Sequence, residues 1–297
     1  MTSSTMDSPA SASTFTIGAE YRVSRLGFGA MRLPAAPAAA REAAIAVARR
    51  AVELGVTLID TAHMYGWGAN EELLADALRP YPDELLITTK VGVTRSGPDG
   101  WSYDARPESL REQVEQSLRR LRTERVGLLQ LHRIDPEVPL AEQVGALREL
   151  QREGKIGHIG LSEVTVAQLA EARQTAEIAS VQNRYNLFDR EYDSVVDACQ
   201  ATGTAFLPWR PVAGAFGSLQ TGELDAVTNV ATEIGATRPQ VLLAWLLARS
   251  SVVLPIPGTA SLTHLQENLA AANLQLSDPQ RLNLDHMAVP AHDADRE

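Results

Sequence analysis

Short apolar runs alternate eight times with longer segments of helical period along this chain. Strands that alternate with helices predict a parallel sheet with the helices outside it. Eight such units predict closure into a single (β/α)8 barrel, although a doubly wound open sheet would give a similar pattern. No Gly-x-Gly-x-x-Gly sequence opens the first helical segment, which counts against the doubly wound alternative. The paired runs are residues 25–29 and 42–54, 56–60 and 71–78, 85–90 and 107–121, 126–131 and 140–152, 156–161 and 166–175, 178–182 and 192–200, 204–208 and 238–248, and 252–255 and 262–271.

The N-terminal residues do not follow this pattern. Residues 1–13 are rich in Ser, Thr, Ala and Pro without periodicity, which predicts a disordered leader. Residues 14–23 contain two short alternating runs around Gly18, which predicts a β-hairpin. No stretch of linker composition divides the remainder, so we expect residues 14–297 to form one α/β domain, the barrel with its hairpin.

Composition and charge argue against several classes of protein. With 44% hydrophobic and 22% charged residues, the chain has ordinary globular composition. A net charge of −10 argues against non-specific nucleic-acid binding, and no apolar run approaches the ~20 residues of a membrane span. The lone Cys199 excludes an intramolecular disulfide and no secretory signal is recognisable, so we expect a cytoplasmic location. The sequence does not determine the oligomeric state and is compatible with a monomer.

Polar residues follow the predicted strands at the end where a barrel of this kind has its active site. Asp60 ends the second strand and Tyr65 lies in the loop after it, while Lys90 ends the third strand and His132 follows the fourth. Every strand end from the second onward offers a group that could bind or react. The later strand ends contribute Ser162, Glu163, Gln182, Asn183, Trp209, Arg210, Pro211, Ile256, Pro257, Gly258 and Thr259.

Each of the first four side chains also has a purely structural explanation. Asp60 could cap a helix, and Lys90 could extend from a strand end to solvent. Tyr65 could be a surface aromatic residue, and His132 a hydrogen-bonded histidine of the core. Their occurrence together after three successive strands is much harder to explain in this way, so we interpret them as one site.

The chemistry that these four side chains would support is carbonyl reduction. A phenol with a pKa near ~10 is a poor acid at neutral pH, but a nearby lysine ammonium stabilises the phenolate. Tyr65 would donate a proton to the substrate oxygen, with Lys90 lowering its pKa and Asp60 holding Lys90. His132 would orient the same oxygen, and a bound cofactor would supply the hydride.

The motifs around these residues resemble those of the aldo-keto reductases, and the resemblance runs from about Phe15 to Leu276. Asp60-Thr61-Ala62 followed by Tyr65-Gly66 is similar to that family's Asp-Thr-Ala…Tyr-Gly motif. Further matching segments are Thr88-Thr89-Lys90, Leu129-Gln130-Leu131-His132, Gly154-Lys155-Ile156 with Gly160-Leu161-Ser162, and Ile256-Pro257-Gly258-Thr259 with His264-Leu265-Gln266-Glu267-Asn268.

The resemblance implies a (β/α)8 barrel and a role for each matching residue. Tyr65 is then the acid, Lys90 and Asp60 tune it, and His132 orients the carbonyl. Ser162 and Gln182 match positions that hold the nicotinamide carboxamide, and Trp209 matches the aromatic residue that stacks on the ring. The other implied cofactor-binding residues are Gly29, Ala30 and Met31 in the first turn, Arg210, Pro211 and Val212 near the pyrophosphate, and Ile256, Pro257, Gly258, Thr259, His264, Glu267 and Asn268 near the adenosine phosphate.

Four positions depart from the family pattern. Glu163 stands where asparagine is usual, so an ionised side chain could accept a hydrogen bond from the carboxamide but not donate one. Gly258 and His264 stand where many members have Lys and Arg for the 2′-phosphate, so NADPH is favoured only moderately over NADH. Arg210 has no evident family role, and we hypothesise that it reaches a pyrophosphate or an anionic group of the substrate.

The substrate class follows from a narrower resemblance. Residues 130–136 and 181–187 resemble the bacterial branch that includes pyridoxal reductases. We therefore expect a small carbonyl compound, with pyridoxal or another aromatic aldehyde as the leading substrate.

Two other functions are compatible with parts of this pattern. A cofactor-binding regulatory subunit, like the potassium-channel β-subunits that share this fold, would bind nicotinamide without significant turnover. A hydrolytic metal site could use Asp60, His63, His132 and Glu163. The chain lacks a His-x-His or His-x-x-x-His spacing on one element, so no metal is expected.

Overall fold

A computed structural model describes residues 14–96, 100–212 and 225–287, so the predicted leader lies outside the described residues. The strands in chain order are β1 (Thr14–Ile17), β2 (Tyr21–Ser24), β3 (Phe28–Gly29), β4 (Leu58–Asp60), β5 (Leu86–Val91), β6 (Val93–Arg95), β7 (Trp101–Tyr103), β8 (Val126–Leu131), β9 (Ile156–Ser162), β10 (Ile178–Gln182) and β11 (Ala205–Phe206). The α-helices are α1 (Ala38–Glu53), α2 (Ala69–Leu78), α3 (Pro107–Leu121), α4 (Leu140–Arg152), α5 (Val166–Ala172), α6 (Asp193–Thr202), α7 (Asp225–Ile234), α8 (Arg238–Arg249), α9 (Leu262–Ala270) and α10 (Asp278–Asp285). None of the described helices is long and apolar enough to cross a membrane.

Seven parallel strands form the main sheet in the order β3, β4, β5, β8, β9, β10 and β11. Residues 252–257 close this sheet into a barrel. On one side, the Leu254 amide donates to the Phe206 carbonyl over 2.8 Å, and on the other the Gly27 amide donates to the Pro255 carbonyl over 2.9 Å. Because Pro255 and Pro257 have no amide hydrogen, this eighth segment cannot form a regular ladder, although it occupies the predicted strand position. The predicted (β/α)8 barrel is confirmed.

The predicted N-terminal hairpin is also confirmed and covers one end of the barrel. β1 and β2 pair in antiparallel register, and the turn between them has positive φ at Gly18 and Ala19. Ile17 and Val23 are fully buried and belong to the same apolar cluster as Leu58 and Leu86 from inside the barrel. The N-terminal end of the barrel is thus filled with apolar side chains, which leaves the opposite end for polar groups.

Three elements were not predicted. The β6–β7 hairpin lies between β5 and α3, and α7 precedes α8 in the seventh unit. The additional α10 begins with Ser277, whose side chain accepts from the Gln280 amide in a capping box. Several predicted boundaries also differ from the observed ones: α1 begins at Ala38 and not at residue 42, and α5 ends at Ala172 and not at residue 175. There the amides of Gln174 and Thr175 donate to carbonyls three residues back, which ends the helix in a tight turn.

Candidate active site

Lys90 lies at the centre of a buried polar cluster at the C-terminal ends of β4 and β5. Its ammonium donates to the Asp60 carboxylate over 2.6 Å, to the Thr61 carbonyl over 2.8 Å and to the Tyr65 hydroxyl over 3.3 Å. A lysine has three N–H donors, so these three acceptors satisfy it completely. The structure therefore brings together three of the four predicted catalytic side chains around one ammonium group.

Two glutamine side chains hold Asp60 in place. The side-chain amide of Gln182 donates to Asp60 Oδ1 over 2.8 Å, and the side-chain amide of Gln130 donates to the same oxygen over 3.3 Å. Gln130 also donates to the Thr88 hydroxyl over 3.0 Å. Sequence reasoning gave Gln130 no role, although a polar residue between Leu129 and Leu131 in a buried strand was a usable signal. Gln182 was predicted to bind a carboxamide, yet here its NH2 group contacts Asp60.

Burial and charge set the protonation of Lys90 and Tyr65. Burial disfavours the charged form of Lys90, but the charges of Asp60 and Tyr65 and the hydrogen bonds to them outweigh it, so the pKa of Lys90 is raised. Burial raises the pKa of Tyr65 above its ordinary 10.0, and the charge of Lys90 only partly offsets this. The predicted lowering by Lys90 is thus present as one contribution, while the net shift is upward. Tyr65 is a protonated phenol at neutral pH.

His132 completes the predicted group of four. Its amide donates to the Val91 carbonyl over 2.7 Å, and its ring meets the Tyr65 ring edge-on with 6.0 Å between centroids. Burial and the charges of Lys90 and Arg133 hold the pKa of His132 well below 6.5, so the imidazole is neutral. Its Nδ1 atom is buried without a hydrogen-bond partner among the described residues, which is unusual for a polar atom.

A second buried network supports the loop that contains Tyr65. The Glu71 carboxylate accepts from the Thr89 hydroxyl over 2.7 Å and from the Arg120 guanidinium over 3.3 Å. The same guanidinium lies 3.1 Å from His63 Nδ1. Because a guanidinium can only donate, His63 Nδ1 must be the acceptor, and burial followed by the charge of Arg120 lowers the pKa of His63 to about 4. His63 therefore has a structural partner on the helix side of the loop.

The predicted carboxamide-binding residues have partners within the protein. Ser162 is buried, and its hydroxyl lies 3.4 Å from an Arg133 guanidinium nitrogen. Glu163 accepts from the Trp209 indole over 2.5 Å, so these two predicted residues contact each other. Arg210 is exposed with positive φ, and its guanidinium lies 5.9 Å from the centroid of the Trp209 ring.

Two glycines bring the first and eighth barrel segments into close contact. A Cβ on Gly29 would lie 2.7 Å from the Ile256 carbonyl oxygen, and one on Gly258 would lie 2.5 Å from the Gly29 carbonyl oxygen. Only glycine permits this approach. Asn70 holds the adjoining turn by donating to the Ala30 carbonyl over 2.9 Å. The predicted turn (Gly29, Ala30, Met31) and the predicted phosphate segment (Ile256, Pro257, Gly258, Thr259) are therefore neighbours.

The predicted adenosine-side residues lie at the start of α9 and along it. Ser261 caps this helix by accepting from the His264 amide over 3.4 Å, and its own amide donates to the Thr259 hydroxyl over 3.0 Å. His264 is exposed and Asn268 is buried. The remaining predicted cofactor residues Glu267, Pro211 and Val212 are also among the described residues.

The residues of the alternative metal site do not form a ligand group. His63 contacts Arg120, and Glu163 contacts Trp209. Over residues 14–96, 100–212 and 225–287, no three His, Cys, Asp or Glu side chains are arranged to hold a metal ion.

Comparison with known proteins agrees with this arrangement. The model of the aldo/keto reductase family matches residues 25–288. An uncharacterized oxidoreductase of Schizosaccharomyces pombe is 42% identical over 278 residues, covering 92% of this chain and 89% of that protein. Pyridoxine 4-dehydrogenase of Escherichia coli K12 is 41% identical over 285 residues, covering 93% and 98% respectively. A crystal structure of an aldo/keto reductase from Klebsiella pneumoniae in complex with NADP and acetate is 30% identical with a TM-score of 0.81, covering 94% of this chain and 96% of that one. The chain therefore belongs to the aldo/keto reductase family.

Proposed function

We propose that this protein is an NADPH-dependent reductase of aldehydes and that Tyr65 is its proton donor. The observation that supports this most directly is the buried Lys90 ammonium, which contacts both the Asp60 carboxylate and the Tyr65 hydroxyl. A phenol beside a cation that is itself fixed by a carboxylate is suited to donate a proton and to stabilise the phenolate left behind.

The four side chains have separate tasks in this proposal. The Tyr65 hydroxyl donates its proton to the carbonyl oxygen as charge develops there, and Lys90 stabilises the resulting phenolate. Asp60 keeps the ammonium charged and in position. The neutral imidazole of His132 donates a ring N–H to the same carbonyl oxygen, which fixes the carbonyl beside Tyr65. Bound NADPH supplies the hydride that reaches the carbonyl carbon.

The described residues fit a nicotinamide cofactor. Gly29 and Gly258 allow the first turn to pack directly against the phosphate segment, and Thr259 and the N-terminus of α9 offer O–H and N–H donors to a phosphate. Trp209 offers a ring for stacking. The complex of the Klebsiella relative with NADP supports NADPH over NADH, and His264 is the side chain that would contact a 2′-phosphate.

The leading substrate is pyridoxal or another aromatic aldehyde. The relative named pyridoxine 4-dehydrogenase supports this, because oxidation of pyridoxine at its 4-position gives pyridoxal. Two tryptophans also lie close to the site: Trp67 follows Tyr65 in its loop, and Trp101 on β7 is 37% exposed. Flat apolar side chains of this kind suit a planar aromatic ring.

Arg133 adds an electrostatic preference. It is half-buried directly after His132, and its guanidinium lies 6.0 Å from the Trp101 ring centroid. Within the described part of the chain no carboxylate forms an ion pair with it. We therefore favour aldehydes with an ionised oxygen, such as the phenolate of pyridoxal, over neutral ones.

A substrate panel tests the proposal. Purified protein is incubated with NADPH or NADH and with pyridoxal, 4-carboxybenzaldehyde or its neutral methyl ester, and loss of the reduced cofactor is followed. We expect turnover with NADPH, preference for the charged aldehyde over the ester, and a 10²- to 10⁴-fold (order of magnitude) loss of kcat in Tyr65→Phe. Tight cofactor binding without turnover of any carbonyl would instead favour the regulatory-subunit alternative.

A further inference from the structure

Glu163 is held by three hydrogen-bond donors beside the proposed nicotinamide site. Its Oε1 accepts from the Trp209 indole over 2.5 Å and from the Arg184 amide over 2.7 Å, and its Oε2 accepts from the Tyr192 hydroxyl over 3.4 Å. The backbone of Glu163 has φ of 54°, a left-handed conformation that non-glycine residues rarely adopt. The shortest of the three hydrogen bonds is the one from Trp209.

The contacts of the Glu163 carboxylate supply hydrogen bonds but no countercharge. All three of its partners donate, which is the environment of an ionised carboxylate. Among residues that the structure describes, Glu163 takes part in no ion pair. Two arginines lie nearby. The Arg184 guanidinium pairs with Asp189 over 2.6 Å, and the Arg210 guanidinium lies over the Trp209 ring.

The position of this charge matters because the nicotinamide ring changes charge in the reaction. The ring is neutral in NADPH and has one positive charge after the hydride, with its two electrons, has passed to the carbonyl carbon. Glu163 directly follows Ser162 and bonds to Trp209, and these are the two residues proposed to hold that ring. A carboxylate there attracts the oxidised ring more strongly than the neutral one.

We propose that Glu163 has two functions, fixing the Trp209 indole for stacking and favouring the oxidised, positively charged form of the bound cofactor. The second function makes the bound NADPH a stronger hydride donor and tunes the enzyme toward carbonyl reduction. This inference rests on the proposed function, because it requires the nicotinamide to lie between Ser162 and Trp209. Glu163 is a positioning and charge-tuning residue here and does not itself react.

Binding measurements separate the charge from the positioning. The dissociation constants of NADP+ and NADPH are measured by titration calorimetry for the wild type, Glu163→Gln and Glu163→Asp. The glutamine keeps an oxygen that can accept from Trp209 but loses the charge, so we expect NADP+ binding to weaken about tenfold relative to NADPH binding. The aspartate keeps the charge but is too short to reach the indole. Binding of NADP+ and of NADPH should therefore both weaken, with little change in the ratio of their dissociation constants.

Glu177→Gln is the matched control, because it makes the same change in net charge on an exposed residue just before β10, at the opposite end of the barrel. It should leave the ratio of the two dissociation constants at the wild-type value. An unchanged ratio in Glu163→Gln would overturn the inference even if the wild type binds cofactor and reduces aldehydes. A wild type that binds neither cofactor form would overturn the proposed function itself.

Discussion

Lys90 and Asp60 form a 2.6 Å ion pair in which the lysine side chain is fully buried and the aspartate side chain is 4% exposed. Removing two charges from water is costly, so each depends on the other for compensation. The pair also connects two barrel strands, because Lys90 lies on β5 and Asp60 ends β4. The same contact therefore bears on folding and on the acidity of Tyr65.

A double-mutant cycle on this pair measures its contribution to stability. Asp60→Asn leaves a buried ammonium without its counterion, and Lys90→Met leaves a buried carboxylate, so each should lower the free energy of unfolding by about 3–5 kcal/mol. The double variant should lose much less than the sum of the two. Urea unfolding gives all four values.

The exposed pair of Arg50 and Glu53 is the control for this cycle, since their side chains are 40% and 61% exposed. Breaking it with Glu53→Gln should cost less than about 1 kcal/mol. Additive effects of the Asp60 and Lys90 substitutions would show that the buried contact does not couple the two residues.

The pH dependence of aldehyde reduction follows from Tyr65 and His132. In the proposed mechanism, reduction requires a protonated Tyr65 and a neutral His132. The pKa of Tyr65 is raised above 10.0 and that of His132 is held well below 6.5, so both forms persist throughout the range between these values. We expect kcat/KM to stay level as the pH falls from 7.5 through 6.5, and to fall only on the alkaline side of 10.0. An acid limb with a midpoint near 6.5 that disappears in His132→Gln would contradict a neutral, buried imidazole.

Much of the fold was predictable because the barrel strands are buried on both sides and so form continuous apolar runs. The bounds predicted for β8, β10, α3 and α4 agree with the structure. The β6–β7 hairpin escaped prediction because its two strands have only three residues each, too few for alternation to stand out from a loop. Helix α7 had a usable signal, since the buried residues Val227, Val230 and Ala231 have helical spacing.

In the candidate site, the sequence indicated which residues meet but not which atoms bond. Position at the C-terminal end of a parallel strand was sufficient to group Asp60, Tyr65, Lys90 and His132. The hydrogen bonds of Glu163 to Trp209 and of Gln182 to Asp60 join residues 46 and 122 positions apart and depend on side-chain rotamers. Sequence spacing contains no information on those rotamers, so Glu163 was expected to face a carboxamide.

Arg210 offers a test of the pyrophosphate hypothesis. Its side chain is exposed, its backbone has positive φ, and its guanidinium lies 5.9 Å from the centroid of the Trp209 ring. If the guanidinium contacts the cofactor or an anionic substrate, Arg210→Ala should raise the KM of NADPH or of the charged aldehyde about tenfold, with kcat little changed. Arg148→Ala, an exposed arginine of α4, is the charge-matched control. Unchanged KM values for both ligands would exclude this role.

The contact of Gly258 with Gly29 predicts an intolerance to side chains at this junction. A Cβ on Gly258 would lie 2.5 Å from the Gly29 carbonyl oxygen, so Gly258→Ala must displace backbone and should cost about 1–3 kcal/mol. NADPH affinity should fall with it if this junction binds phosphate. Gly145→Ala in α4 is the control, because nothing lies within 4 Å of its added Cβ and alanine should stabilise the helix by about 0.5–1 kcal/mol. Equal behaviour of the two variants would show that the junction is not tightly packed.

The lowered pKa of His63 predicts that the protein loses stability in mild acid. Its pKa is lowered to about 4 in the folded protein from an ordinary 6.5, so between these values the unfolded chain takes up a proton that the folded protein does not. The free energy of unfolding is therefore unaffected by the titration of His63 above pH 6.5. It declines as the pH falls toward 4, by about 3 kcal/mol in total.

His63→Asn should remove this decline, because asparagine does not titrate and its side-chain oxygen can still accept from Arg120. Burial raises the pKa of the neighbouring Glu71, which favours the folded protein as the pH falls, but this effect is common to both proteins. The measurement is the difference in unfolding free energy between wild type and variant at pH 8, 6 and 4.5. The free energy of unfolding of the variant should rise relative to that of the wild type at each lower pH, since only the wild type must keep a neutral imidazole beside the Arg120 guanidinium. A difference that stays constant with pH would show that His63 is protonated equally in the folded and unfolded states.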